Sequence, residues 1–172
     1  FGYSLSFAPS GNAFIGDFRW LGLEGVSLTE GYTDDASIPN MVFSAFQMMF
    51  AVITPALITG AVAGRMKFKS IFVFTIFWSL IVYYPLAHMV WNGGLLSADG
   101  AISQAIGAAA HDFAGGTVVH INAAVAALVI VLITGKRKGF GTQPFRPHNV
   151  PFVMLGAFLL WFGWFGFNAG SA

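Results

Sequence analysis

The chain contains no cysteine, which excludes a disulfide framework, a thiolate metal centre and a thiol nucleophile. Charge is nearly as scarce. Only 9% of the 172 residues are Asp, Glu, Lys or Arg, whereas soluble domains carry roughly 25%. Eight basic and seven acidic side chains cannot clothe a water-soluble surface of this size. A formal net charge of +1 is too small for a nucleic-acid partner. An initiator methionine and the cationic start of a signal peptide are also lacking, and the last residues break off in an apolar run. These ends suggest a piece of a longer chain. What the sequence does have is apolar: 56% hydrophobic residues, 16% aromatic residues and a mean hydropathy of +0.73. The expected fold class is an all-α integral membrane protein, a polytopic helical bundle.

The scarce charges are also unevenly placed. Residues 41–64, 70–98, 113–135 and 149–172 contain none. At roughly 1.5 Å rise per residue, even the shortest of these stretches reaches about 35 Å as a helix, enough for a hydrocarbon core of roughly 30 Å. The sequence therefore predicts four transmembrane helices, at about 41–64, 71–96, 113–134 and 150–171. Residues 1–40 are expected to hold the end of a preceding helix (FGYSLSF) and an extracellular loop. Arg65, Lys67 and Lys69 fall between the first two spans, and Lys136, Arg137, Lys138 and Arg146 between the last two. If the helices alternate, these seven bases share one side. Asp17, Glu24, Glu30, Asp34, Asp35, Asp99 and Asp112, which are all the acids, take the other. The positive-inside rule then makes the basic loops cytoplasmic and the acidic loops extracellular.

Within the spans, Pro55 and Pro85 each remove a backbone hydrogen bond and permit a kink. The third span is rich in small residues (Gly115, Gly116, Ala123, Ala124, Ala126, Ala127), which allow close helix packing in lipid. Asp112 precedes that helix, where its carboxylate is placed either to cap free N–H groups or to bind a cation. His88 and His120 lie at membrane depth, where an imidazole either is satisfied structurally or faces a cavity. Phe46 and Phe50, four apart, share one face of the first span, with Trp91 near the outer end of the second and Phe167 near that of the fourth. An interfacial aromatic belt explains most such residues, Trp78, Trp161 and Trp164 among them. Four rings that converge with the Ser171 hydroxyl on the outer side also form a plausible cation site, at about 0.5–2 kcal/mol per well-placed ring. GKRKGFG at 135–141 has neither the spacing nor the ending of a phosphate-binding loop. No metal or cofactor is expected.

FQMMFAVITPALI (46–58), AHMVWNGG (87–94), DFAGGTVVHINAA (112–124) and WFGFNAGSA (164–172), in this order and spacing, resemble the ammonium transporter (Amt) family; FRPHN (145–149) resembles its cytoplasmic loop. The related Rh proteins differ around the histidine and lack the tryptophan. The resemblance implies an eleven-helix fold of two inverted repeats, assembled as a homotrimer with one pore per subunit, of which this chain would supply the third to sixth helices. It implies that Phe46, Trp91 and Ser171 bind ammonium outside, that Phe50 and Phe167 gate the pore, and that His120 is the first of two pore histidines. It implies as well that Asp112 shapes the site from beneath and that Tyr83 stands near the pore. His111 departs from the family, which more often has an aliphatic residue there. The second histidine and second repeat fall outside this chain. The implied activity is transport at the plasma membrane, by ammonium recruitment, deprotonation and ammonia passage, with regulation by a cytoplasmic protein through a missing C-terminal region. A sensor that uses the same fold is the alternative. An intramembrane hydrolase built on Ser171 and His120 would need a nucleophile elbow that is missing, and a generic cation channel would need acidic rings along its path. An enzyme is not expected.

Overall fold

The computed structural model describes residues 1–171, with Ser171 as backbone only. It divides into two compact units, Phe1–Gly135 and Lys136–Ala172. No strand occurs among the described residues. Two isolated antiparallel bridges, one between Gly11 and Gly16 and one between Gly31 and Pro39, tie together the long loop that follows the first helix.

The first unit begins with α1 (Gly2–Phe7), then the loop, then α2 (Asn40–Val62). The second long helical segment, Phe68–Trp91, is built from α3 (Phe68–Trp78), a π-helical turn (Ser79–Tyr83) and α4 (Tyr84–Trp91). The wide turn has a local cause. Pro85 has no N–H to give, and its ring crowds the carbonyl four residues back, at Ile81, inside that turn. The charge-free stretch runs on to Ala98, but the helix stops at Trp91 because Asn92 leaves helical geometry and Gly93 takes φ +76°. A short α5 (Ala101–Ile106) follows. The third long segment, Gly116–Thr134, opens with a second π-helical turn (Gly116–Ile121) and continues as α6 (Asn122–Thr134).

α2 packs along α6, and α1 packs against α4. Phe50, Thr54, Ile58 and Val62 are buried at successive intervals of four, so they form one ridge of α2. On the third segment the buried residues are Val118, Val119, Asn122, Ala123 and Ile130. The small Ala123 is where such a ridge can approach closely. Arg65 fastens one end of this pair: its guanidinium donates to the Ala61 carbonyl and to the Gly135 carbonyl, both at 2.9 Å. A cation at two helix C-termini meets carbonyls that have no helical donor of their own.

The second unit holds the 136–149 loop and α7 (Val150–Ser171). Asn149 starts α7, accepting the Phe152 N–H at 3.1 Å, with Pro151 in the first turn. In the loop, Lys136 lies 5.3 Å from the Phe140 ring and Arg137 5.9 Å from the Phe145 ring.

Four of these helices are long and apolar enough to cross a membrane. Their outward residues are apolar too, for example Val125, Leu128, Leu132 and Ile133 on α6 and Phe72 and Phe77 on α3. Acyl chains solvate such surfaces and water does not. The molecule is a multi-pass helical membrane protein.

Candidate functional site

The aromatic residues of the first unit form one connected set at the start of α2 and the end of α4. The Phe46 and Phe50 rings meet edge to face at 5.0 Å, as their spacing of four predicts. Phe50 meets the edge of Trp91 at 5.4 Å, and Trp91 in turn stacks on Phe7 of α1 at 6.4 Å with 16° between the planes. Behind them Phe7, Phe43 and Tyr32 pack together, with Tyr32 and Phe43 stacked at 4.7 Å. Phe50 is buried, Trp91 half-buried and Phe46 exposed at 41%. One open ring thus stands over one closed ring.

Phe50 also approaches the turn that begins the third segment. A Cβ placed on Gly115 would lie 3.6 Å from the Phe50 ring and 2.9 Å from Val119 Cγ2, and Gly115 takes φ +92°. Only glycine fits there without strain. Asp112 holds the same turn, its carboxylate accepting N–H groups from Gly115 at 2.6 Å and from Thr117 and Val118 at 2.8 Å. Three charge-assisted bonds satisfy donors that begin a helix and would otherwise be orphaned. His120 lies within the π-helical turn that this carboxylate anchors; its ring is exposed in this unit and makes no side-chain hydrogen bond among the described residues. Tyr83 is buried in the other π-helical turn, beside Trp78 and Tyr84, while the Thr54 hydroxyl of α2 donates to the Phe50 carbonyl at 2.6 Å.

Phe46 and Phe50 on α2, Trp91 on α4, His120 in the π-helical turn and Asp112 in the loop before that turn therefore lie in one unit. Phe167 belongs to α7 in the other unit, half-buried, with its ring 5.4 Å from Trp164. The side chain of Ser171 falls outside the described residues. No cluster of metal-ligating side chains occurs among the described residues.

His88 has the opposite surroundings to His120. It is buried, its Nε2 lies 2.8 Å from the Asn12 carbonyl and its Nδ1 3.1 Å from the Ser6 carbonyl, with Asn92 Nδ2 at 3.2 Å. Position in the sequence alone left both histidines open, the resemblance singled out His120, and neither pointed to Asn92, Tyr32 or Phe7. The spacing of four between His88 and Asn92 was the available signal, because it puts both on one helical face.

The fold and these residues define a class. The sequence profile of the Ammonium Transporter Family matches residues 1–172, so the chain belongs to the ammonium transporter family. The ammonium transporter of Bacillus subtilis (strain 168) is 49% identical over 172 residues, which is all of this chain and 39% of that protein. That of Aquifex aeolicus (strain VF5) is also 49% identical, over 99% of this chain and 37% of the relative. The chain thus spans less than half the length of these relatives. Among solved structures, Candida albicans Mep2 superposes with a TM-score of 0.79 at 36% identity, covering 99% of this chain and 36% of Mep2. Saccharomyces cerevisiae Mep2 superposes with a TM-score of 0.74 at 37% identity, over 99% of this chain and 38% of that one. Relatives named as transporters point to a role other than catalysis.

Proposed function

We propose that this chain forms the outer recruiting site and first pore histidine of an ammonium-transporting protein. The observation that carries this reading is the contact series Phe46, Phe50 and Trp91, ending against the Gly115 turn that Asp112 holds. Ammonium resembles potassium in size and charge but differs in having four N–H donors and a proton to lose. The faces of Phe46 and Trp91 attract the cation, and the family resemblance gives the Ser171 hydroxyl the part of accepting one N–H. Phe50 closes the passage below, a role that the family resemblance gives Phe167 as well, and there an ion that must stay charged pays a desolvation penalty of roughly several kcal/mol. Ammonium avoids that penalty by giving its proton to water at the outer mouth, and neutral ammonia continues past His120, whose imidazole offers it a hydrogen bond or relays the proton. Asp112 does not touch the ion; it fixes the turn that carries His120. Tyr83 and Thr54 support the wall between. The protein works as a homotrimer in the plasma membrane, acidic loops outside and basic loops inside, and a cytoplasmic regulatory protein acts through a C-terminal region beyond this chain.

The test is methylammonium uptake by a full-length transporter that carries this sequence. Trp91→Leu and Phe46→Ala each raise KM by about 2- to 30-fold, the range for a lost cation–π contact. Unchanged KM in both variants rejects the recruiting site. Saturable methylammonium binding without any uptake by the wild type would favour the sensor.

A further inference from the structure

The outer turn of α4 is bolted to α1 and the long loop by a set of hydrogen bonds that the proposed pore does not use. Asn92 is at the centre. Its Oδ1 accepts from the Tyr32 hydroxyl, and its Nδ2 donates to the Ala8 carbonyl at 3.0 Å while lying 3.2 Å from His88 Nδ1. The Tyr32 hydroxyl also lies 3.2 Å from the Phe7 carbonyl. With the ring proton on Nε2, His88 donates to the Asn12 carbonyl at 2.8 Å and keeps Nδ1 free to accept from Asn92. Phe7 and Ala8 end α1, where carbonyls have no helical donor, so these side chains complete a helix terminus.

Trp91 lies between His88 and Asn92 in sequence, and its ring stacks on Phe7, on the same end of α1. Both the backbone turn and the rear face of this ring are thus referenced to one fixed point. The geometry points to Tyr32, Asn92 and His88 as positioning residues that aim the Trp91 ring and so set the affinity of the outer site for ammonium and its methylated analogue. This rests on the proposed role of Trp91. The attraction between a cation and a ring depends on where the ring face lies, so a displaced ring weakens binding without touching later steps.

The experiment is a double-mutant cycle on methylammonium uptake in the full-length transporter. Tyr32→Phe removes one oxygen and raises KM by about 3- to 10-fold, the equivalent of one lost hydrogen bond, with the maximal rate per folded protein unchanged. In a Trp91→Leu background the same change moves KM by less than about 1.5-fold, because the residue it acts through is gone. If Tyr32→Phe does not accumulate, Asn92→Asp, which keeps the acceptor for Tyr32 and loses the donated bonds, enters the same cycle. An unchanged KM in the single variant, or an equal change in both backgrounds, overturns the positioning role while leaving the recruiting site intact. No effect of Trp91→Leu alone removes the site and the positioning role together.

Discussion

His88 and His120 are both imidazoles within long apolar helices, yet they occupy opposite kinds of surroundings. His88 is buried with both ring nitrogens within hydrogen-bond distance of backbone carbonyls, whereas His120 sits exposed in a π-helical turn without a side-chain partner among the described residues. The comparison shows that depth in a membrane does not by itself make a histidine functional. A ring whose nitrogens are engaged by the fold has nothing left to offer a passing molecule. A ring with free nitrogens on a turn fixed from outside by Asp112 does.

The widest separation of the two is expected from His88→Ala and His120→Ala in a full-length transporter. His88→Ala leaves buried acceptors unpaired and a cavity behind, and lowers stability by about 3 kcal/mol, read as a reduced folded yield and unfolding temperature. His120→Ala leaves both near wild type and acts on uptake. Equal loss of stability in the two variants breaks the contrast. Asp112→Ala is expected next. It orphans three N–H groups and costs about 2 kcal/mol, with uptake falling as well because the His120 turn loosens. Unaltered thermal stability counts against the anchoring bonds. Gly115→Ala follows at about 1–2 kcal/mol, since a methyl there meets Val119 at 2.9 Å with φ at +92°. Wild-type melting behaviour excludes that close approach.

The smallest effect concerns pH on the His88 side. Burial pushes the Tyr32 hydroxyl up to about 12 from 10.0. A phenol raised in this way contributes stability that is fully present below pH 10 and is lost as pH rises towards 12. Spectrophotometric titration of wild type against Tyr32→Phe therefore shows no Tyr32 ionisation below about pH 10. Ionisation of that residue at pH 9 contradicts its burial.

The sequence revealed much of the outline. The charge-free stretches led to four long apolar helices, because a bilayer tolerates few charges and their absence is visible without a fold. The pairing of Phe46 with Phe50 followed from a spacing of four. The surroundings of Trp91 did not, since Phe7 reaches it across 84 positions of chain and Tyr32 reaches the neighbouring Asn92 across 60, and no local period encodes such approaches. The two π-helical turns were equally hidden. The one at Ser79–Tyr83 depends on how the helix accommodates Pro85, and the one at Gly116–Ile121 on the Gly115 conformation that Asp112 holds. His88 stayed ambiguous for the same reason: the carbonyls its ring meets, at Ser6 and Asn12, lie in a part of the chain remote from it.

Methylammonium uptake by full-length His120→Ala in proteoliposomes, with and without excess potassium, bears most directly on the proposed role of His120 in the pore. The expected result is a normally folded protein whose uptake per protein falls by about tenfold or more, or becomes sensitive to potassium, the size of effect for a lost proton-transfer or hydrogen-bonding group. Uptake at the wild-type rate with undiminished discrimination against potassium would contradict it.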